Sequence, residues 1–433
     1  MRTLSKMSKC IQFVITAACL LLGTTASATT NGQVDVTQAP YSAVGDGKTD
    51  ATRAIQSALD DVGAGGGGTV FVPRGTYLVK GHLTIPAGTA LLGVGRAPQL
   101  YTDKASGSML LAVEGAGQTE GPAFLTLSGP NSTLEGISVF YPNQVVADEP
   151  VSYPWTVRAG SGHNISLVNV LLVNPYQAVD LATQASSRHY IRGLYGQPLF
   201  KGIWVDQCYD IGRIHDVHFW PFWSLDNKVI DYTVHHATSF IFQRTDWEVV
   251  ENVFSWGYHV GIEFSRSKDG AMNGQLTDVG LDGVDIGILA RSTQSEGISF
   301  SNLSVANDDR GSEHIAIWGQ PGTEGAHLFI RGGAFWGALR RVVKWENSGA
   351  IALSDSRLVP YRVNGSMIEL TAGQAMIHDN SIAIMPGQKS SKPGTAIYIG
   401  PSVKSVIVHD NLLNENQIVN EAGTRATVSN NMP

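Results

Sequence analysis

The chain has 433 residues, and its 48 glycines and charged fraction of 15% describe a turn-rich β protein, with too little charge for a helical one. A formal net charge of −7 argues against nucleic acid or an anionic membrane surface as partner.

At the start, Arg2, Lys6 and Lys9 precede an apolar run from Ile11 to Gly23, and Ala26-Ser27-Ala28 has the small-x-small form of a signal-peptidase site. The expectation is a signal peptide over residues 1–28, cleaved near Ala28, and export to the periplasm or the medium. The run is too short to span a bilayer, and no later stretch reaches the ~18 apolar residues a span requires, so no membrane insertion is expected. A lipoprotein reading on Cys19 is weaker, because Thr16 fits poorly three residues before it. Cys10 and Cys19 leave with the leader, so Cys208 stands alone in residues 29–433 and no intramolecular disulfide is expected. Those residues contain no low-complexity linker and are read as one domain.

Gly45-Asp46-Gly47-Lys48-Thr49-Asp50 is a turn cluster before the one convincing helix. Ala51, Ala54, Ile55, Ala58, Leu59 and Val62 recur at helical spacing, with Thr49 or Asp50 as N-cap. Gly63 to Gly68 ends that helix and lacks the Gly-Lys-Ser/Thr tail of a phosphate loop. A strand, Thr69 to Val72, precedes Pro73-Arg74-Gly75-Thr76-Tyr77. Beyond residue 130 a turn recurs at Gly136, Asn169, Gly193, Asp216, Asn252, Asp278, Asn302, Gly333, Asp355, Asp379, Asp410 and Asn430. The mean interval is about 27 residues, a solenoid period. Each unit holds short strands and no room for a long helix, so stacking alone can bury its apolar face.

The segments Gly45 to Asp50 with Ala54-Ile55, Gly67-Gly68-Thr69-Val70 and Val72 to Tyr77 resemble the opening of the pectate-lyase superfamily. That group comprises right-handed parallel β-helix proteins, among them rhamnogalacturonases, polygalacturonases and epimerase-like relatives. The resemblance implies an all-β, right-handed parallel β-helix whose open N-terminal end is capped by the helix near Ala51 to Val62. It also implies a polysaccharide partner. The polygalacturonase signatures Asn-Thr-Asp, Gly-Asp-Asp, Gly-His-Gly and Arg-Ile-Lys are not present intact. The nearest paired acids are Asp308-Asp309, so the fold carries over while the reaction does not.

Chemistry is sought on the strands between Gln177 and Arg266. With Val179, Ile203, Phe240, Ile262, Leu181, Val205, Phe242 and Phe264 inward, strand alternation turns Asp180, Trp204, Asp206, Gln243 and Glu263 outward. Asp206, Asp180 and Glu263 are the expected acids, with Asp246 as a fourth, although outward carboxylates are also common on a solvated face. Phe219 to Thr238, with Trp220 and Trp223, and the cluster Trp256, Tyr258, His259 are expected groove walls. Alternatively these rings pack on one another and shield the flank. Arg244 and Arg266 could bind a carboxylate or sulfate. No histidine pair has the companions of a zinc site, so no metal is expected.

Three readings follow. The leading one is a secreted glycoside hydrolase using paired carboxylates. The alternative is a polysaccharide lyase acting by β-elimination on a uronic-acid polymer, without cofactor or with Ca²⁺. The third is a non-catalytic carbohydrate-binding or surface protein. The oligomeric state is left open.

Overall fold

The computed structural model describes residues 32–95, 107–383 and 394–433, so the expected leader, residues 1–28, lies outside the described residues. Among those described, two parallel sheets of 20 and 13 strands wind as a right-handed parallel β-helix. From Trp155–Ala159 to Ser366–Leu370 the chain visits them alternately, so each coil there adds one strand to each sheet, while nearer the ends the broader sheet takes additional strands. Strands of the narrower sheet, such as Gln177–Leu181, Lys201–Val205, Thr238–Phe242 and Val260–Phe264, are five residues long and stack in strict register.

Strands of the broader sheet are folded at one residue. In Arg213–Phe219 that residue is Asp216, at φ 54°. Equivalent left-handed residues are Gly136, Asn169, Gly193, Asn252, Asp278, Asn302, Asp355, Asp379, Asp410 and Asn430, with Gly332 at the place the spacing assigned to Gly333. Asn, Asp and Gly tolerate this conformation best. The side chains also bond between coils, Asn252 Nδ2 to Asp216 Oδ1 at 2.8 Å and Asn302 Nδ2 to Asp278 Oδ1 at 2.7 Å.

One hydrophobic core runs between the sheets from Val36 to Ala422. Val179, Ile203, Phe240 and Ile262 point into it, as do Leu181, Val205, Phe242 and Phe264, all fully buried. The phenyl rings form a file, Phe219–Phe240 at 5.4 Å and Phe242–Phe264 at 6.0 Å. The core is narrow at Gly202, where a Cβ would run into the Ser239 carbonyl and the Phe219 ring.

Helix α1, Thr52–Ala64, buries Ile55, Ala58, Leu59 and Val62 against the first strands. Its N-cap residue is Ala51, while Asp50 Oδ1 accepts from Thr52 N at 3.0 Å. A second helix, α2 (Asn227–His236), forms inside the Phe219 to Thr238 insertion. Asp226 caps it by accepting from Lys228 N at 2.9 Å, and Val229, Ile230, Thr233 and Val234 are its buried face. All four are β-branched, which masks a helical pattern.

Candidate active site

The outer face of the 13-stranded sheet is a column in register: Arg158, Asp180, Trp204, Ile241, Glu263, Leu289. Two residues further along each chain come Asp206, Gln243, Ser265 and Arg291. Neighbouring coils stand ~4.8 Å apart, so this face is a groove floor two side chains wide.

Asp180 is on the column and yet fully buried. Its Oδ1 accepts from the amides of Ala182 and Thr183, both at 2.9 Å, and its Oδ2 from Arg158 Nε at 2.7 Å and Thr183 Oγ1 at 2.6 Å. Both oxygens are filled, so the side chain braces the strand ends and has none left for a substrate. This differs from the solvent-facing acid that alternation alone predicts. The cause is Arg158, one coil earlier, which folds over it.

Asp206 is 5% exposed and differently bonded. Its Oδ1 accepts from Gln207 N, Arg244 N and Ser267 Oγ, each at 2.9 Å, while no hydrogen bond reaches Oδ2 among the described residues. It is also the one expected acid without a cation within ion-pair distance. Glu263 pairs with Arg291 at 2.5 Å. Asp246 is gripped on both oxygens by Arg244 at 2.6 and 2.8 Å, and its Oδ1 also accepts from Gln294 at 2.7 Å. Asp206 and Glu263 are two coils and two residues apart, about 12 Å between backbones.

Between these acids lies Trp204, whose Nε1 donates to Gln243 Oε1 at 3.0 Å. Trp155 stacks beside it at 6.0 Å. The Lys201 ammonium sits 6.0 Å from the Trp155 ring, 5.7 Å from Trp204 and 5.4 Å from Phe200, with no carboxylate at ion-pair distance among the described residues. Helix α2 borders this end, since Tyr232 bonds Tyr176 hydroxyl to hydroxyl at 3.1 Å, and Tyr176 stacks on Phe200 at 5.1 Å. Burial, chiefly, and that hydrogen bond push the Tyr232 phenol well above its ordinary range.

The other expected residues lie away from this floor. Trp220, Trp256, Tyr258 and His259 sit on the flank where the broad sheet hands the chain to the narrow one, beside α2, since His259 N donates to Thr233 O at 2.9 Å. Trp220 packs on Trp256 at 5.4 Å, and Trp223 leans on the buried cluster of Leu171, Val173 and Phe222. Tyr258 is buried and donates to Pro198 O at 3.0 Å. His259 contacts Asp285 at 3.1 Å. Burial alone would raise the Asp285 carboxyl, but His259 and the amides of His314, Ser312 and Glu313 outweigh it and hold it low. These rings pack on the flank, and the expected Phe219 to Thr238 wall borders the groove through Tyr232 of α2. Arg266 is exposed and pairs with Glu324 at 2.5 Å.

Lys201, Trp155, Arg158 and Arg291 were missed by the sequence reading. The signal for two of them was present, because Trp155-Thr156-Val157-Arg158-Ala159 repeats the small, alternating frame of the later strands. Beneath the groove, His189, Cys208 and Glu248 bring possible ligand atoms within 4.8 Å of one another and are the one such metal-competent group among the described residues. Glu248 already accepts from His189 at 2.8 Å and Thr245 at 2.6 Å, so the trio reads as a buried ion pair.

A family model described as Rhamnogalacturonase A/epimerase, pectate lyase-like, matches residues 35–263, just over half the chain. Alginate lyase 7 of Azotobacter vinelandii is 31% identical over 132 residues, 27% of this chain and 15% of that protein. Mannuronan C5-epimerase AlgE3 of the same organism is 31% identical over 130 residues, 26% of this chain and 7% of that one. The matched stretch is thus a small part of these curated relatives. The A-module of Azotobacter vinelandii mannuronan C-5 epimerase AlgE4 superposes with a TM-score of 0.57 at 14% identity, covering 91% of this chain and 99% of the module. DFA-IIIase of Arthrobacter chlorophenolicus superposes at 0.56 and 11% identity, covering 93% and 99%. At such identities the likeness concerns the fold. With its opening turns, its coils and more than half its length matched, the chain belongs to the rhamnogalacturonase A/epimerase, pectate-lyase-like family.

Proposed function

We propose that this protein modifies a uronic-acid polysaccharide by removing the proton beside the sugar carboxylate, the step shared by elimination and epimerisation. The observation that carries this reading is the distribution of uncompensated charge around Trp204. Lys201 on one side has no carboxylate partner, and Asp206 on the other has no cation. The remaining expected acids are each held by an arginine.

A pyranose lying on the Trp204 and Trp155 rings would meet Lys201 at one edge and Gln243 and Asp206 at the other. An ammonium held over aromatic faces has little water around it, which strengthens its attraction for a substrate carboxylate. Neutralising that carboxylate favours loss of the adjacent proton, because negative charge develops on the same group. Asp206 Oδ2 is the free oxygen placed to carry a proton. The names of the relatives, an alginate lyase and mannuronan epimerases, agree with this class of substrate.

Hydrolysis is the second reading, favoured only in that Asp206 keeps one carboxyl oxygen clear for acid or base work. It calls for two working carboxyls, and the floor offers one that is free of arginine. Activity on uronate polymers and on the same polymers after carboxyl reduction separates the two. Turnover of the charged polymer alone is expected. Equal turnover of the reduced polymer, with new reducing ends, would transfer the assignment to hydrolysis.

A further inference from the structure

Trp247 occupies a turn whose left-handed backbone recurs between coils, at Asn164 and Arg188 among others, but whose geometry does not call for a large side chain. It follows Asp246 on the turn that leaves the narrow sheet, is 64% exposed, and takes φ 58°. Left-handed backbone is unfavourable for a bulky residue, and an indole standing mostly in water recovers little by burial. The turn nevertheless holds it firmly. Trp247 N donates to Asn273 Oδ1 at 2.6 Å, Asn273 donates to Gln294 at 2.8 Å, and Gln294 donates to Asp246 at 2.7 Å.

The indole divides two hollows. On one side is a cleft of about 520 Å³ walled by Tyr209 and Arg244, and on the other a smaller one of about 180 Å³ bordered by Gln275 and Glu296. Tyr209 is 49% exposed and stands face-on to the Arg244 guanidinium at 5.5 Å. Two exposed rings therefore flank a cleft whose arginine is already compensated by Asp246. The cleft adjoins the groove, because Arg244 N donates to Asp206 Oδ1.

We propose that this shoulder is a second saccharide-binding subsite, in which Trp247 stacks on the apolar face of a pyranose and Tyr209 with Arg244 forms the facing wall. It rests on the reading of the protein as acting on polysaccharide, and takes a sugar of the same chain outside the groove. With its charges cancelled in place, the shoulder recognises ring faces and hydroxyls. The groove recognises charge through Lys201. Binding at the shoulder is therefore insensitive to salt, and attraction to the groove is screened by it.

The test uses Trp247→Gly, since glycine suits the left-handed backbone and the fold should keep or gain thermal stability. Sodium alginate and polygalacturonate are the probes, titrated at low and high salt in a Lys201→Met background that silences the groove. The expected result is residual binding that persists at high salt and weakens about tenfold on adding Trp247→Gly, the loss usual for truncating an aromatic anchor, with an unchanged or higher Tm. Unaltered high-salt binding in Trp247→Gly, or no high-salt binding before it, would overturn the proposal. So would a lowered Tm, which makes the indole structural, or self-association that Trp247→Gly abolishes without any carbohydrate binding. Turnover by the unaltered protein is read separately, so failure of the shoulder leaves the groove reading standing. Absence of both binding and turnover overturns the two together.

Discussion

The side chain of Asp206 commits one oxygen to three donors and keeps the other clear, whereas Asp180, one coil earlier, has both oxygens filled. The two aspartates should therefore answer differently to the same change. Asp206→Asn keeps an acceptor for the three donors, so Tm should hold while turnover falls at least ~100-fold, the low end for proton transfer. Asp180→Asn breaks a buried pair with Arg158 and should cost about 3 kcal/mol of stability, seen in denaturant unfolding. Lys201→Met should lower kcat/KM on a uronate polymer about thirtyfold, the worth of a charge-assisted contact of about 2 kcal/mol, with a smaller effect at high salt. Alternation along one strand was enough to separate inward Val179 and Leu181 from the column that carries Asp180. It could not show that Arg158, 22 residues earlier, folds over Asp180. Nor could it show that Lys201 lacks a partner, since pairing across coils depends on register.

The turn ladder was readable because each position demands the same left-handed backbone, which Asn, Asp and Gly satisfy for local reasons. The insertion carrying α2 was harder, because its aromatic residues serve burial on the flank and only Tyr232 reaches the groove edge. At the turns leaving the narrow sheet, three coils are tied together by buried His189 and Glu248. Burial alone would push the His189 imidazolium down, but the Glu248 carboxylate, and to a lesser degree Cys208, bring it well above the ordinary 6.5. The sign is that of a raised base. Its contribution is complete below about 6.5 and is lost as pH rises through the raised value. Thermal melts from neutral into alkaline pH should show Tm falling for the native protein. Glu248→Gln should be less stable at neutral pH by about 3 kcal/mol, with a lower starting Tm and a flatter profile. A native Tm that rises with alkalinity would contradict the pair.

Over the whole molecule, the β-helix supplies a rigid floor on which coils, rather than loops, set the spacing of functional groups. That explains why the family fold was legible from the opening turns while the reaction was not. One inherited frame accepts different outward residues at each coil. The central claim is that Lys201 and Asp206 serve proton removal beside a carboxylate, and it is tested most directly by incubating the protein with a uronate polymer in heavy water. Magnetic resonance then reads deuterium at the ring carbon bearing the carboxylate, alongside the absorbance of unsaturated ends. Elimination appears as absorbance and epimerisation as deuterium in an inverted sugar, and either result, lost in Lys201→Met and Asp206→Asn, is the one predicted. New reducing ends with neither deuterium nor absorbance would contradict it and return the groove to paired-carboxylate hydrolysis.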